Sequence, residues 1–501
     1  MSPPRRITLE RALVAGVLAL LVWAPLPLGS NRAWSSALLV VLVSAFVLLW
    51  ALLLLRGPAP ENRALKPGLA LFGLLLLAQA WVAAQWLFGL SAHPGETFRY
   101  LVLGLAYSFL FLLVIALFHT RRRLTWLLAV LVVSGVFQAF YGAAMVLSGT
   151  EWGFAVPKAY GHGRVTGTFV NRNHLAGYLA MTLAVGIGLM LALRTGRPLN
   201  WRHLFEVFLG AKARLRLALV VMVIALVMTQ SRGGNAAFVI ALLAIGTLFV
   251  LRFPQHRLRN ALILGSIVVI DVLVISQFFG LERLRDRLAA TEVGVAIEAV
   301  EPLRAWPWAT PEAPPGAQPG RGADAGVEAG PATRAPPAVQ ERRLVFDIND
   351  LRGPIFNYTI PLARERAWTG HGAGSFETVF VTRLGPGVGA RVDHAHNDYL
   401  QFWVEYGLLG SLPLALFVLA AGAFALRALW NRDSRFRSGV GFGAAMAILA
   451  VLVHGGSDFN LQIPANAATF VAICAIAVLA GTHSHPSERP ARSATPAASG
   501  P

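Results

Sequence analysis

Runs of about 17–25 apolar residues, the length a helix needs to cross the hydrocarbon core of a bilayer, alternate with short polar breaks along most of this chain. They fall at about residues 9–28, 36–55, 69–90, 100–118, 124–147, 174–193, 217–230, 235–251, 261–280, 408–430, 440–454 and 467–481. This pattern predicts an all-α polytopic membrane protein of about twelve transmembrane helices. Arg5 and Arg6 precede the first run, which is long and has no convincing small-residue cleavage site after it, so it reads as an uncleaved span. The rhythm breaks between 281 and 403, a large loop before the tenth span. Its middle, 301–340, is rich in Pro, Ala and Gly without hydrophobic period and reads as disordered. From 342 to 400 the loop is expected to be ordered and helical, with a helix start at Arg352 and Pro354 in its first turn. The chain thus divides into spans one to nine (1–280), the large loop (281–403), the last three spans (404–481) and a disordered cytoplasmic tail (482–501).

Composition agrees. Hydrophobic residues make up 56% and charged residues 14% of the 501, where soluble chains carry about half and about a quarter. Mean hydropathy is +0.59. A formal net charge of +18 would point to nucleic acid in a soluble protein, but in a polytopic chain it is first a statement about topology. The lone Cys474 lies in an apolar run and can form no intrachain disulfide.

The basic residues fall in alternate loops. Arg56, Arg63 and Lys66, then Arg121 to Arg123, the group between Arg194 and Arg216, Arg252, Arg257 and Arg259, and Arg432, Arg435 and Arg437 share one side, which the positive-inside rule makes cytoplasmic, together with both termini. The outer side then receives Arg164, Arg172 and Asn173, the turn at Arg232, the large loop, and the turn 457–466 with Asp458.

Titratable groups concentrate on that side. The stretch HAHNDYLQFWVEYGLLG, residues 394–410, sets His394, His396, Asn397, Asp398 and Glu405 at the mouth of a span, where unpaired polar groups are costly. Guanidinium groups at Arg164, Arg172, Arg232 and Arg352 suit an anion with planar oxygens, such as a phosphate or diphosphate, which they grip bidentately. Arg232 stands between two short apolar runs, where snorkelling to lipid head groups is the competing role. For Arg164 and Arg172, flanking a Gly-Thr-Phe-Val-Asn loop, a solvated role stays equally open. The HxH pair with Asp393 and Asp398 has the donors for zinc, but the chain contains no HExxH or CxxC pattern. Histidine as a general base or orienter is the more economical reading, so neither a metal nor a cofactor is expected.

These residues resemble a known family. His396-Asn397, nine residues, Gly407, two residues and Gly410 match the H-N-x9-G-x-x-G signature shared by O-antigen ligases, O-antigen polymerases and pilin-type protein O-oligosaccharyltransferases. The stretch from Arg164 to Asn173 resembles the family's loop before its sixth span, Ser231-Arg232-Gly233 its short arginine turn, and Asp458 to Pro464 the turn before its last span. Residues 352–359 and 370–376 resemble the block preceding the histidine motif, although Phe356 and Trp368 stand where relatives commonly have Trp and Pro, and the 301–340 insert is long.

The resemblance implies a GT-C-like architecture in the bacterial inner membrane. It also implies transfer of a glycan from an undecaprenyl-diphosphate donor to a glycan, lipid A-core or protein acceptor at the periplasmic face. His396, Arg232 and Arg352 then form the catalytic set. Arg164, Arg172, Asn173, His394, Asn397 and Asp458 bind substrate; no nucleic acid is involved. Inversion at the anomeric centre and independence of metal follow if the arginines supply the charge. A multi-spanning transporter or flippase of an anionic or lipid-linked substrate is the alternative. It calls for charges near the bilayer midplane, and Asp271 is the only obvious acid within a span.

Overall fold

The structure is a computed structural model of the chain. It describes residues 3–57, 61–153, 156–158, 161–193, 211–252, 293–299, 342–348, 352–383, 392–431 and 433–482, with scattered positions between 257 and 265. It is all-α apart from two short antiparallel ribbons. The helices are α1 (Pro3–Trp23), α2 (Ala33–Leu55), α3 (Leu65–Leu87), α4 (Pro94–Leu117), α5 (Arg121–Ser148), α6 (Arg172–Ala192) and α7 (Ala211–Met228), followed by α8 (Arg232–Arg252), α9 (Arg352–Glu365), α10 (Phe376–Val381), α11 (Asp398–Leu429), α12 (Arg435–Gly455) and α13 (Pro464–Thr482). One ribbon pairs β1 (Trp152–Gly153) with β2 (Val156–Pro157), and the other pairs β3 (Val293–Ala299) with β4 (Arg342–Ile348), Val293 opposite Ile348. Within the loop segment expected to be helical, 342–348 is therefore a strand.

Among the described residues nine helices are long and apolar enough to cross a membrane. The first and seventh expected spans are helices too, but fall outside that nine. Arg5, Arg6, Glu10 and Arg11 occupy the start of α1, and Lys212, Arg214 and Arg216 the start of α7, which shortens the apolar part of each. The expected ninth span, 261–280, lies almost wholly outside the described residues. So do Asp271, the 301–340 stretch, most of the basic loop after α6 and the tail.

Central position goes to α6 and α13, whose side chains are nearly all buried. α6 crosses α12 at small residues: a Cβ on Gly188 would lie 2.6 Å from the Gly439 carbonyl and 2.7 Å from the Gly443 Cα, so only glycine allows this approach. The tenth expected span begins earlier than its hydropathy indicates. α11 starts at Asp398 and runs to Leu429 through a break at Gly407 (φ 61°, ψ −174°), so the histidine motif sits at a helix N-terminus instead of in an approach loop.

The loops of one end bond to each other across long sequence distances. Val165 N–H donates to Met228 O (3.1 Å), Ala92 N–H to His371 O (2.8 Å), and Asp398 N–H to Asp458 O (3.1 Å). The opposite end carries the basic loops, where Arg437 donates to the carbonyls of Ala480 and Gly481 and Arg252 to that of Trp430.

Candidate functional site

Four helices begin at one place. The turn Ser457–Phe459, between α12 and α13, is where the N-terminal ends of α6, α8, α9 and α11 meet, and the first residue of three of them is an arginine: Arg172, Arg232 and Arg352. At a helix N-terminus the unpaired amides and the aligned peptide dipoles carry partial positive charge, so each guanidinium adds to a field of its own sign. Such a concentration is suited to an anion.

Asp458 is the buried counter-charge. Its Oδ2 lies 3.4 Å from Arg352 Nη2, and its Oδ1 lies 3.7 Å from His174 Nε2 and accepts from Phe459 N–H at 2.8 Å. Burial alone would push this carboxyl up, but His174, His454 and Arg352 outweigh it and hold the group below the usual carboxylate range. Arg352 and Asp458 are 106 residues apart in sequence, so the pairing exists only through the fold.

Phe459 gathers the histidines. Its ring lies 4.1 Å from that of His394, nearly parallel, 4.7 Å from His174 and 4.9 Å from His396, both edge-on. His396 has a left-handed backbone (φ 49°), a conformation that turns the chain sharply just before α11 and which histidine tolerates better than most residues. His394 Nδ1 accepts from Gln401 Nε2 at 2.9 Å, and Gln401 Nε2 also donates to Glu405 Oε1 at 3.0 Å. Burial lowers the pKa of His394, Asp393 opposes the shift and His396 adds to it. Asn397 is the N-cap of α11. Its Oδ1 accepts from Leu400 N–H (3.0 Å) and its Nδ2 donates to Gly456 O (2.9 Å), which ties the histidine motif to the Asp458 turn.

Arg232 is exposed at the first position of α8, after Gln230 in a left-handed conformation. A Cβ on Gly233 would meet Ser457 Oγ and the His454 ring, so the arginine turn lies directly against the Asp458 turn. Arg172 and Asn173 head α6 just before His174, and Asn173 N–H donates to Asn171 Oδ1. Arg164 lies in the loop before α6. It lines a small recess with Glu151, Trp152 and Lys158; Lys158 Nζ donates to Arg164 O at 2.6 Å and pairs with Glu151. The next residue, Val165, fastens the loop to the end of α7.

His174, His454, Phe459 and Gln401 join the site without being marked out by the sequence pattern. The two histidines fall at the ends of apolar runs, and a histidine at a span mouth carries the same signal as His394; both are buried beside Asp458. Phe459 and Gln401 have no sequence signal, since their importance is the set of rings and donors placed around them. Among the described residues, no three of His, Cys, Asp and Glu are grouped as a metal site.

Beside the Asp398 end of α11 lies a largely apolar cavity of about 420 Å³, lined by Leu103, Tyr107, Phe402, Val418, Val451 and Phe470 among others and reaching Tyr399 and Gln462. Asp398 stands at the boundary between this cavity and the Asp458 turn, accepting from Leu461 N–H.

No curated protein matches the chain. Residues 217–415, from α7 into α11 and including Arg232, Arg352, His394 and His396, match a family described as O-antigen ligase. That match, over about two fifths of the chain, supports membership of this multi-pass membrane protein in the O-antigen ligase superfamily.

Proposed function

We propose that the chain transfers a glycan from undecaprenyl diphosphate to an acceptor hydroxyl, by ligation to lipid A-core or by polymerisation of a surface polysaccharide, at the periplasmic face of the bacterial inner membrane. The family match supports a ligase- or polymerase-type glycosyltransferase role. The observation that carries the finer reading is the convergence of three arginine-headed helix N-termini on the Asp458 turn, with His394 and His396 around Phe459. A polyprenyl-diphosphate donor has one end for each environment: a diphosphate for the arginines and an apolar tail for the adjoining cavity.

In this reading Arg232 and Arg352 stabilise the charge that grows on the diphosphate as the sugar–oxygen bond breaks. Arg172 and Asn173 hold the donor beside them, and Arg164 reaches it from its own loop. His396 takes the proton of the attacking hydroxyl, and His394, oriented by Gln401, shapes the acceptor side. Asp458 holds Arg352 in place, and Asn397 holds the histidine motif. In-line attack inverts the anomeric centre.

The test is transfer in detergent or nanodiscs from undecaprenyl-diphosphate glycan, read by product size. A ladder of lengths without added acceptor identifies a polymerase; a single shift only with lipid A-core or peptide identifies a ligase or protein transferase. Arg232→Ala and Arg352→Ala are each expected to slow transfer by about 10²–10³-fold, the usual cost of removing one such charge-stabilising donor. Absence of turnover with every donor would overturn the reading. Because arginines supply the positive charge, activity is expected to persist in excess chelator; its loss would establish a metal requirement.

A further inference from the structure

At the end of the bundle opposite the candidate site, a recess of about 470 Å³ opens between α1 and α5, lined by Arg11, Val14, Thr120, Arg122, Arg123 and Trp126. Half of that lining is arginine. Arg123 is already committed, to Glu10 and to the Leu117 carbonyl at 3.0 Å. Among the described residues, Glu10 is the one carboxylate paired with these arginines. With Glu10 cancelling Arg123, Arg11 and Arg122 leave two positive charges facing the recess. Arg121 next to them lies over the Phe436 ring, and the first turn of α5 contains no acid to offset any of them. Like charges held this close repel, and an anion between them removes the repulsion.

Two features show what kind of anion. Arg122 lies 4.7 Å over the Trp126 ring, and Trp126 is 43% exposed, an amphipathic ring of the sort that sits at head-group level. From Trp126 an exposed apolar stripe continues along α5 through Val133, Phe137 and Phe140, at helical spacing and facing away from the bundle. A charged recess that leads into an outward apolar stripe fits a head group with acyl chains attached better than a free ion. Thr120 Oγ1 accepts from Arg123 N–H at 3.3 Å, which leaves its O–H to donate to a phosphate oxygen.

We propose that this recess is a binding site for the phosphodiester of an anionic phospholipid, held by Arg11, Arg122 and the Thr120 hydroxyl, with its acyl chains along the Trp126–Phe140 face of α5. The site is independent of the transfer chemistry at the other end.

The test uses the full chain in neutral detergent and measures thermal unfolding and native mass spectra on addition of phosphatidylglycerol, phosphatidylcholine or inorganic phosphate. Phosphatidylglycerol is expected to stabilise the protein and to be retained, phosphatidylcholine not. The Arg11→Gln/Arg122→Gln double variant is expected to bind phosphatidylglycerol about 30-fold more weakly, each arginine near an anionic surface contributing about a factor of five. Arg11→Gln alone, at an exposed position, is expected to show about a fivefold loss. Equal stabilisation by both lipids, or unchanged binding in the variants, would overturn the proposal. Equal stabilisation by inorganic phosphate would also overturn it, by showing a soluble-anion site.

Discussion

Replacement of His396 by asparagine is expected to slow glycan transfer by about 10²–10⁴-fold while leaving the protein folded, the usual range for loss of a positioned general base. Asparagine is the informative choice because His396 has φ 49°, a backbone conformation that asparagine adopts readily and alanine does not. An alanine variant confounds loss of the base with strain in the turn before α11. The edge-on contact with Phe459 is the structural role of the ring, and its loss should cost about 1 kcal/mol of stability. A base predicts a fall in kcat with donor KM nearly unchanged. A purely structural ring predicts that His396→Phe, which keeps the aromatic contact, retains activity. An asparagine variant with more than a tenth of wild-type turnover would remove His396 from the chemistry.

Gly407→Ala is expected to be strongly destabilising. Gly407 has φ 61° and ψ −174°, a region that side-chain-bearing residues avoid, at a strain of about 1–3 kcal/mol. The added Cβ would also lie 2.3 Å from Trp368 O and 2.5 Å from Gly370 N, backbone atoms that cannot swing aside, for about 1–3 kcal/mol more. The break is what lets the 367–372 segment dock against α11. Leu408 and Leu409 N–H donate to the carbonyls of Ala367 and Trp368, while His371 and Gly372 N–H donate to those of Val404 and Glu405. Straightening the helix at 407 removes this exchange and shifts the stretch 398–406 that carries Gln401 and Glu405. Gly422→Ala, in the same helix with open space around it, is expected to be neutral or slightly stabilising. Thermal unfolding of the two variants in detergent checks the contrast; equal melting would show that the Gly407 break is not required.

Much of the fold was legible in the sequence because lipid leaves a chain few choices. Where no water is available every backbone group must bond within its own segment, so an apolar run of sufficient length becomes a helix whatever its neighbours do. Eleven of the twelve expected spans are helices for that reason, and the other lies outside the described residues. Boundaries were less legible. α11 starts about ten residues before its hydropathy does, since Asn397 caps a polar first turn that hydropathy does not register. The strand pairing of 342–348 with 293–299 depends on two segments far apart in the chain, and neither signals its partner.

The same division holds at the candidate site. The sequence by itself determined a polytopic helical bundle, the segregation of basic loops from the loops bearing histidine and arginine, and the signature that placed the chain near the O-antigen ligases; all are properties of residue type and spacing. Only the tertiary structure decided that Arg172, Arg232 and Arg352 head helices meeting at one turn, that Asp458 is the carboxylate between Arg352 and His174, and that Phe459 holds three histidine rings. It also gave Asn397 a capping bond. The physical reason is that hydropathy and helix formation are set locally, within about twenty residues. A buried charge finds its partner through packing of helices that lie a hundred or more residues apart in the chain, and one sequence holds no record of that distance.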